Sequence, residues 1–245
     1  MLGAAWQGQK PHDGLGGDGI VTWAGEAQAD SHPVEEESYR ILRSRIDLSR
    51  LPKFSRDVTE RVINASADFD FATDLVCNEE SLAAAVDALA AGAPVIVDTP
   101  MAAAGITACP VICKIGEPLT QRLARTAAIP RAAAAVRLAF GEAGPGAVWV
   151  VGSAPMALQD ILTRGVEPAF VIGMPVGFVG AAAAKDALRA SGLSSLSNVS
   201  EKGGPTVAAA AFNALLRSAS DISGSRAGWG PDGSARPADD DRGGP

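Results

Sequence analysis

The chain has 245 residues, 47% hydrophobic and 20% charged, with a formal net charge of −7; this is the composition of an ordinary globular protein with one large domain. The acidic balance argues against a nucleic-acid binder working through a basic surface, and no apolar run approaches the ~18 residues of a membrane span. Three cysteines (Cys77, Cys109, Cys113) and two histidines (His12, His32) are too few and too scattered for a disulfide framework or a metal centre. No secretory signal pattern opens the chain. The expectation is a cytoplasmic protein with no metal, no nucleic-acid partner and no membrane partner.

In chain order, residues 1–31 hold scattered Gly, Asp, Gln and Pro and read as a disordered N-terminal extension. Gly14, Gly16 and Gly19 have the spacing of a dinucleotide fingerprint. No strand precedes them and no helix follows, so the match lacks its structural context. Val34 to Ile46 reads as a helix, with Glu35, Glu36 and Glu37 at its positive end and Arg43 and Arg45 toward its negative end. Ser55 is placed to cap a second helix through Ser66, with Val58, Val62 and Ile63 as its apolar stripe. A third runs from Ser81 to Ala91 and is stopped by Gly92.

Pro94 to Asp98 is then a short β-branched run of the kind found in a buried parallel strand. Val111–Ile115, Val148–Val151, Phe170–Ile172 and Leu196–Val199 are further strands, with helices expected at 118–126, 131–141, 155–164, 180–191 and 206–218. On a strand, Cys109 and Cys113 would lie ~13 Å apart, too far to bridge, so the thiols are expected free. Residues 219–245, rich in Ser, Gly, Pro and Asp around Trp229, read as a disordered tail. Strands alternating with helices over residues 32–218 imply a three-layer α/β/α domain on a mainly parallel sheet.

Ligands of such sheets bind beyond the carboxyl ends of the strands, and there the sequence places three glycine-bearing turns. They are Asp98–Gly105, Gly173–Gly180 and Ser200–Gly204, each leading into a helix. Glycine lets a ligand approach the main chain and a helix N-terminus offers N–H groups to an anion; equally, these are what tight strand-to-helix turns require. Lys202 adds a cation beside Gly203 and Gly204, and Pro205 suits the first helical turn. Asp68 and Asp70, after the second helix, are either a paired acid/base device or residues of Asx turns. Arg40 and Arg43 share a helix face that could meet carboxylates. No Ser-His-Asp arrangement can be built, because both histidines lie in or beside the N-terminal extension.

Several stretches together resemble the precorrin-8X methylmutase family of corrin biosynthesis. They are His32–Arg43 (HPVEEESYRILR), Ala65–Asp70 (ASADFD), Met101–Ile106 (MAAAGI), Gly152–Leu158 (GSAPMAL), Gly173–Ala182 (GMPVGFVGAA) and Ser197–Gly204 (SNVSEKGG). The likeness runs in order over about residues 32–217.

The resemblance implies an α/β homodimer that binds a macrocyclic tetrapyrrole, precorrin-8X or cobalt-precorrin-8, at or near the subunit interface. The implied reaction moves a methyl group from C-11 to C-12 to give the hydrogenobyrinate skeleton; being internal, it needs no cofactor. The family pattern implies substrate contact for Ser38 and aligns Arg43 and Arg131 with its basic residues, while Lys202, Gly203 and Gly204 suit the ring's carboxylates. Aligned through Ala65 to Asp70, the family's proton-donating histidine is Asn64 here, and an amide does not titrate near neutral pH. Pro130 and Pro205 likewise stand where the family usually has Thr and Ser. The resemblance thus implies a methylmutase whose acid is missing or replaced, with Asp68 as the substitute, or else a non-catalytic corrinoid-binding paralogue serving as carrier or sequestering protein.

Overall fold

Short apolar runs that do not alternate with polar residues need cover on both faces of their sheet. The computed structural model, which describes residues 33–227 with side chains through Ile222, has that cover. Five strands, β1 (Leu75–Cys77), β2 (Val95–Val97), β3 (Val148–Val151), β4 (Phe170–Gly173) and β5 (Ser195–Asn198), lie in the order β1-β5-β4-β3-β2. β2 to β5 run parallel, and β1 pairs antiparallel with β5.

Every residue of β3 and β4 is buried, and alternate residues serve opposite cores. Val148, Val150, Phe170 and Ile172 face α2 (Lys53–Ser66), α4 (Glu79–Ala90) and α10 (Pro205–Ala227). Trp149, Val151 and Val171 face α7 (Arg131–Ala143), α8 (Pro155–Arg164) and α9 (Ala181–Ala190). The expected three layers are therefore present. Four further helices complete the described residues: α1 (Pro33–Arg45) against α2, the short α3 (Phe71–Asp74) and α5 (Pro100–Ala104), and α6 (Pro118–Thr126) against α7.

Ser55 does not cap α2, which begins two residues earlier, after Pro52. The cap comes from 24 residues further on. The Glu79 carboxylate accepts from the Phe54 and Ser55 N–H groups at 2.8 and 2.9 Å and from Ser55 Oγ at 2.7 Å, placing an anion on the positive end of the helix. Val111–Ile115 is not a strand either. Ile112 alone pairs, through its N–H to Val95 O at 2.8 Å and its carbonyl to Val97 N–H at 3.0 Å. Pro110 has no N–H to extend the ladder, and beyond Ile112 the Lys114 carbonyl accepts the Thr120 hydroxyl and turns the chain into α6. All three thiols are free.

The tail expected from residue 219 starts too early. α10 continues to Ala227, with Ala219 2% exposed and Ile222 packed on the core. Apolar burial there outweighs a composition that reads as tail. The Gly14–Gly19 spacing, His12, His32, the 1–31 extension and residues 228–245 lie outside the described residues. Ending the chain after Ser218 should lower the thermal midpoint by a few degrees relative to ending it after Ala227, because the lost burial is worth about 1–2 kcal/mol. Equal midpoints in a calorimetric comparison would show that the last turns of α10 add nothing.

Candidate active site

Two of the residues singled out in the sequence meet directly. α1 lies across α2 so that Ser38 Oγ donates to Asn64 Oδ1 on the last turn of α2. The Asn64 amide NH2 makes no hydrogen bond among the described residues, and the side chain lines a cavity of about 500 Å³. Met101 and Ala104 of α5 and Thr206 and Ala210 of α10 form its other walls. α5 and α10 approach closely at Gly105, where a Cβ would stand 2.7 Å from the Ala209 methyl, and Asn213 Nδ2 donates to the Gly105 carbonyl at 2.8 Å.

After α2, Ala67 takes a left-handed conformation (φ 53°) and the chain turns into Asp68 and Asp70. Asp68 Oδ1 accepts the Asp70 N–H at 3.0 Å, which is the Asx turn. Asp68 Oδ2 and Asp70 Oδ2 also accept from Lys202 Nζ, at 2.7 and 2.5 Å. The Lys202 bond holds the Asp68 carboxyl below the usual carboxylate range, and the two aspartates push the Lys202 ammonium well above its own. Asp68 is therefore ionised at neutral pH and has no proton to give. Lys202 keeps one N–H beyond the two bonds to Asp68 and Asp70.

Lys202, Gly203 and Gly204 sit on a turn whose main chain is held from three sides. Asp74, at the end of α3, accepts from the Val199 and Ser200 N–H groups (3.0 and 2.7 Å), Ser200 Oγ (2.7 Å) and Asn198 Nδ2 (2.8 Å). Lys185 of α9 donates from the other side to Asn198 Oδ1 (3.0 Å), to the Ser200 carbonyl and to the Lys202 carbonyl (2.8 Å). Below the turn, Gly204 N–H donates to the Met174 carbonyl at 2.9 Å. Gly203, at φ +142°, passes that carbonyl so closely that a Cβ would be 2.3 Å from its oxygen, and a Cβ on Gly152 would stand 2.6 Å from Pro205 Cα. Asp98 ties in the neighbouring turn by accepting from the Ser153 and Ala154 N–H groups at 2.6 and 2.9 Å.

Lys202, Gly203 and Gly204 are not among the residues that line the Asn64 cavity, and neither are Arg43 and Arg131. Arg43 donates to both oxygens of the largely buried Glu60 at 3.0 and 2.7 Å and stacks 5.5 Å over the Tyr39 ring. It lines a second, charged cleft of about 380 Å³ that shares Glu35 and Arg61 with the first. Arg131 opens α7 on the opposite layer; it is exposed, without an ion pair among the described residues, and borders neither cleft. Asp74, Asn198 and Lys185 were not found by sequence reasoning. The available signals were polar residues ending the β5 run and a lysine amid the alanines of α9. Among the described residues no three His, Cys, Asp or Glu side chains converge as metal ligands.

The family model described as precorrin-8X methylmutase matches residues 33–218. A precorrin-8X methylmutase from Sinorhizobium is 36% identical over 200 residues, covering 77% of this chain and 95% of that protein. A cobalt-precorrin-8 methylmutase from Salmonella typhimurium is 35% identical, covering 75% and 93%. The crystal structure of precorrin-8x methyl mutase from Thermus thermophilus superposes with a TM-score of 0.71 at 33% identity, covering 78% and 97%.

Burial works to raise the Asp74 pKa, but the bonds from Ser200, Asn198 and Val199 outweigh it and hold the carboxyl below its ordinary value. A depressed carboxyl contributes stability above its unfolded pKa, ~3.9, and loses it as pH falls through the folded value. Asp74→Asn should therefore lower the thermal midpoint by several degrees near neutral pH, where four donors lose an anionic acceptor. The deficit should shrink as the pH falls below the ordinary aspartate value and the folded carboxyl takes up its proton. A deficit independent of pH would remove the carboxylate's charge as its cause.

Proposed function

Since the chain belongs to the precorrin-8X methylmutase family, we propose that it is an isomerase moving the methyl group of precorrin-8X, or of its cobalt-bearing counterpart, from C-11 to C-12. The C-11–CH3 bond breaks and the C-12–CH3 bond forms within one molecule, so no redox partner is consumed. The observation that carries the site is the Ser38–Asn64 bond at the wall of the cleft between α2, α5 and α10. It brings together two positions that match the family pattern and leaves an amide NH2 as a hydrogen-bond donor at the cavity.

The ring's carboxylates have three cationic candidates: Arg131, the outer face of Arg43, which remains 63% exposed despite Glu60, and the remaining Lys202 N–H. Main-chain groups of Gly203 and Gly204 supplement them. Because Arg43 and Lys202 are already paired, recognition rests less on free cations than the sequence implies. We also propose a homodimer in the cytoplasm. Phe178 and Val179, on the turn before α9, are 96% and 91% exposed, more than an isolated apolar pair ordinarily leaves in water, and a second copy is the occupant the family resemblance suggests. Among the described residues no helix is long and apolar enough to cross a membrane. The carrier reading draws no support from the relatives, which are named as methylmutases.

Binding should appear as a visible spectral shift on titration with hydrogenobyrinic acid, and incubation with precorrin-8X should give that product. Absence of both the shift and the product would overturn the assignment. Asn64→His should raise turnover by ~10²-fold or more, within the ~10²–10⁴ that general acids supply, while leaving affinity nearly unchanged because the amide already offers a hydrogen bond. Asp68→Asn should not abolish wild-type turnover, since Asp68 holds no proton at neutral pH. If wild-type turnover already matches that of histidine-bearing relatives and Asn64→His leaves it unchanged, position 64 does not limit the chemistry.

A further inference from the structure

Lys185 is fully buried, at 0% exposure, yet it is absent from the walls of both clefts and forms no salt bridge among the described residues. A buried ammonium persists only where every N–H finds an acceptor. Its three protons meet three oxygens, Asn198 Oδ1 and the carbonyls of Ser200 and Lys202. All three acceptors belong to one segment, residues 198–202. Four donors of that segment (Val199 N–H, Ser200 N–H and Oγ–H, Asn198 Nδ2) go to Asp74 on the opposite side. Within the segment, Asn198 Nδ2 also donates to the Lys202 carbonyl at 2.9 Å and the Lys202 N–H to Ser200 Oγ at 3.2 Å. An anion thus holds the segment on one face and a cation on the other, and Asn198 bridges the two.

We propose that Lys185 is a positioning residue of the substrate-binding turn, holding Lys202, Gly203 and Gly204 in place through the Ser200 and Lys202 carbonyls. The inference rests on the methylmutase reading for the identity of the ligand, but not for the order of the turn. A neutral lysine has two N–H groups and a lone pair, so after deprotonation one of the three oxygens faces a lone pair instead of a donor. The turn then loses one of its three bonds to Lys185, while the Asp74 and Met174 contacts and the packing of the sheet remain.

The charged groups that act on Lys185 are Asp74 from α3, Arg189 from its own helix and Glu201 from the turn. On α8, which packs against α9, Asp160 and Arg164 pair with each other. Burial pushes the Lys185 ammonium down, to about 8; Arg189 adds to this, and Asp74 and Glu201 oppose it. The sign for folding is opposite to the sign for the turn. A lysine with a depressed folded pKa penalises the fold most where both states are charged, and that penalty is relieved as pH rises from about 8 toward the ordinary value of 10.5. Alkaline pH should therefore loosen the turn without melting the protein through this group.

The experiment is hydrogen exchange of the full chain without ligand, followed by titration with hydrogenobyrinic acid. Lys185→Met should raise exchange of residues 199–204, corrected for intrinsic rates, by about tenfold or more, with β3 and β4 amides unchanged. Wild-type protein should show a smaller loss of protection in the same residues between pH 7 and 9.5, and its affinity for hydrogenobyrinic acid should fall over that range with an apparent pKa near 8. That limb should be missing in Lys185→Met, whose affinity should be uniformly low. Unchanged exchange of 199–204 in a folded Lys185→Met, or in wild type across the pH range where the variant does not fold, would overturn the proposal. Loosening of the turn with no corrinoid binding at any pH would instead sink the methylmutase reading and leave the positioning role standing.

Discussion

The Met174 carbonyl is the place where the end of one strand and the start of one helix are forced together. Its oxygen accepts the Gly204 N–H at 2.9 Å, and Gly203 passes too close for any side chain. With Gly152 pressed under Pro205, this contact sets where α10 leaves the sheet. α10 then lays Val207, Ala208, Phe212 and Leu215 over one core while its first turn supplies Thr206 to the cleft. Core and cleft thus share a single origin, so a displacement at Gly203 would reach both. The absence of Cβ atoms here serves backbone proximity, and the accompanying turn follows from it.

Charge in the site is arranged before any ligand arrives. Lys202 is spanned by Asp68 and Asp70, Arg43 is held by Glu60, and Arg61 by Glu35. Pairing fixes the direction of each long side chain and lowers the entropy lost on binding. It also reduces the net attraction that a polycarboxylate would feel. A carboxylate in such a pair is a poor acid. Asp68, the nearest carboxyl after α2, is thereby assigned to structure.

Where the sequence was legible, the reason was one-dimensional. The apolar runs at Val148–Val151 and Phe170–Ile172 announce buried strands, and proline before or at the first turn marks the starts of α6, α8 and α10. The misreadings share a different cause. Ser55 looks like a cap because the true cap, Glu79, is distant in sequence. Val111–Ile115 has strand composition, but a single residue reaches a partner. Ala219 and Ile222 lie in a stretch of tail-like composition, yet Ala219 is buried and Ile222 partly buried against a core whose other residues no local window contains. Among the candidate residues, Ser38 and Asn64 came from the likeness to the family and Lys202 from its place beside a glycine turn. Lys185 was not found, because a lysine in a helix is by default a solvated one, and only the fold reveals that its end meets three oxygens.

The two margins of the sheet carry a consequence for how this molecule meets others. On one side β2 is shadowed by a chain that touches it at Ile112 alone, just past a proline. On the other, β1 is three residues long and runs against the direction of its neighbours. Short, interrupted borders of this kind give an incoming strand too few hydrogen bonds to template on. Lateral growth of the sheet is blocked at both ends, which protects the folded chain from edge-to-edge aggregation. It also leaves helices and connecting turns as the broad surfaces this domain presents to other molecules.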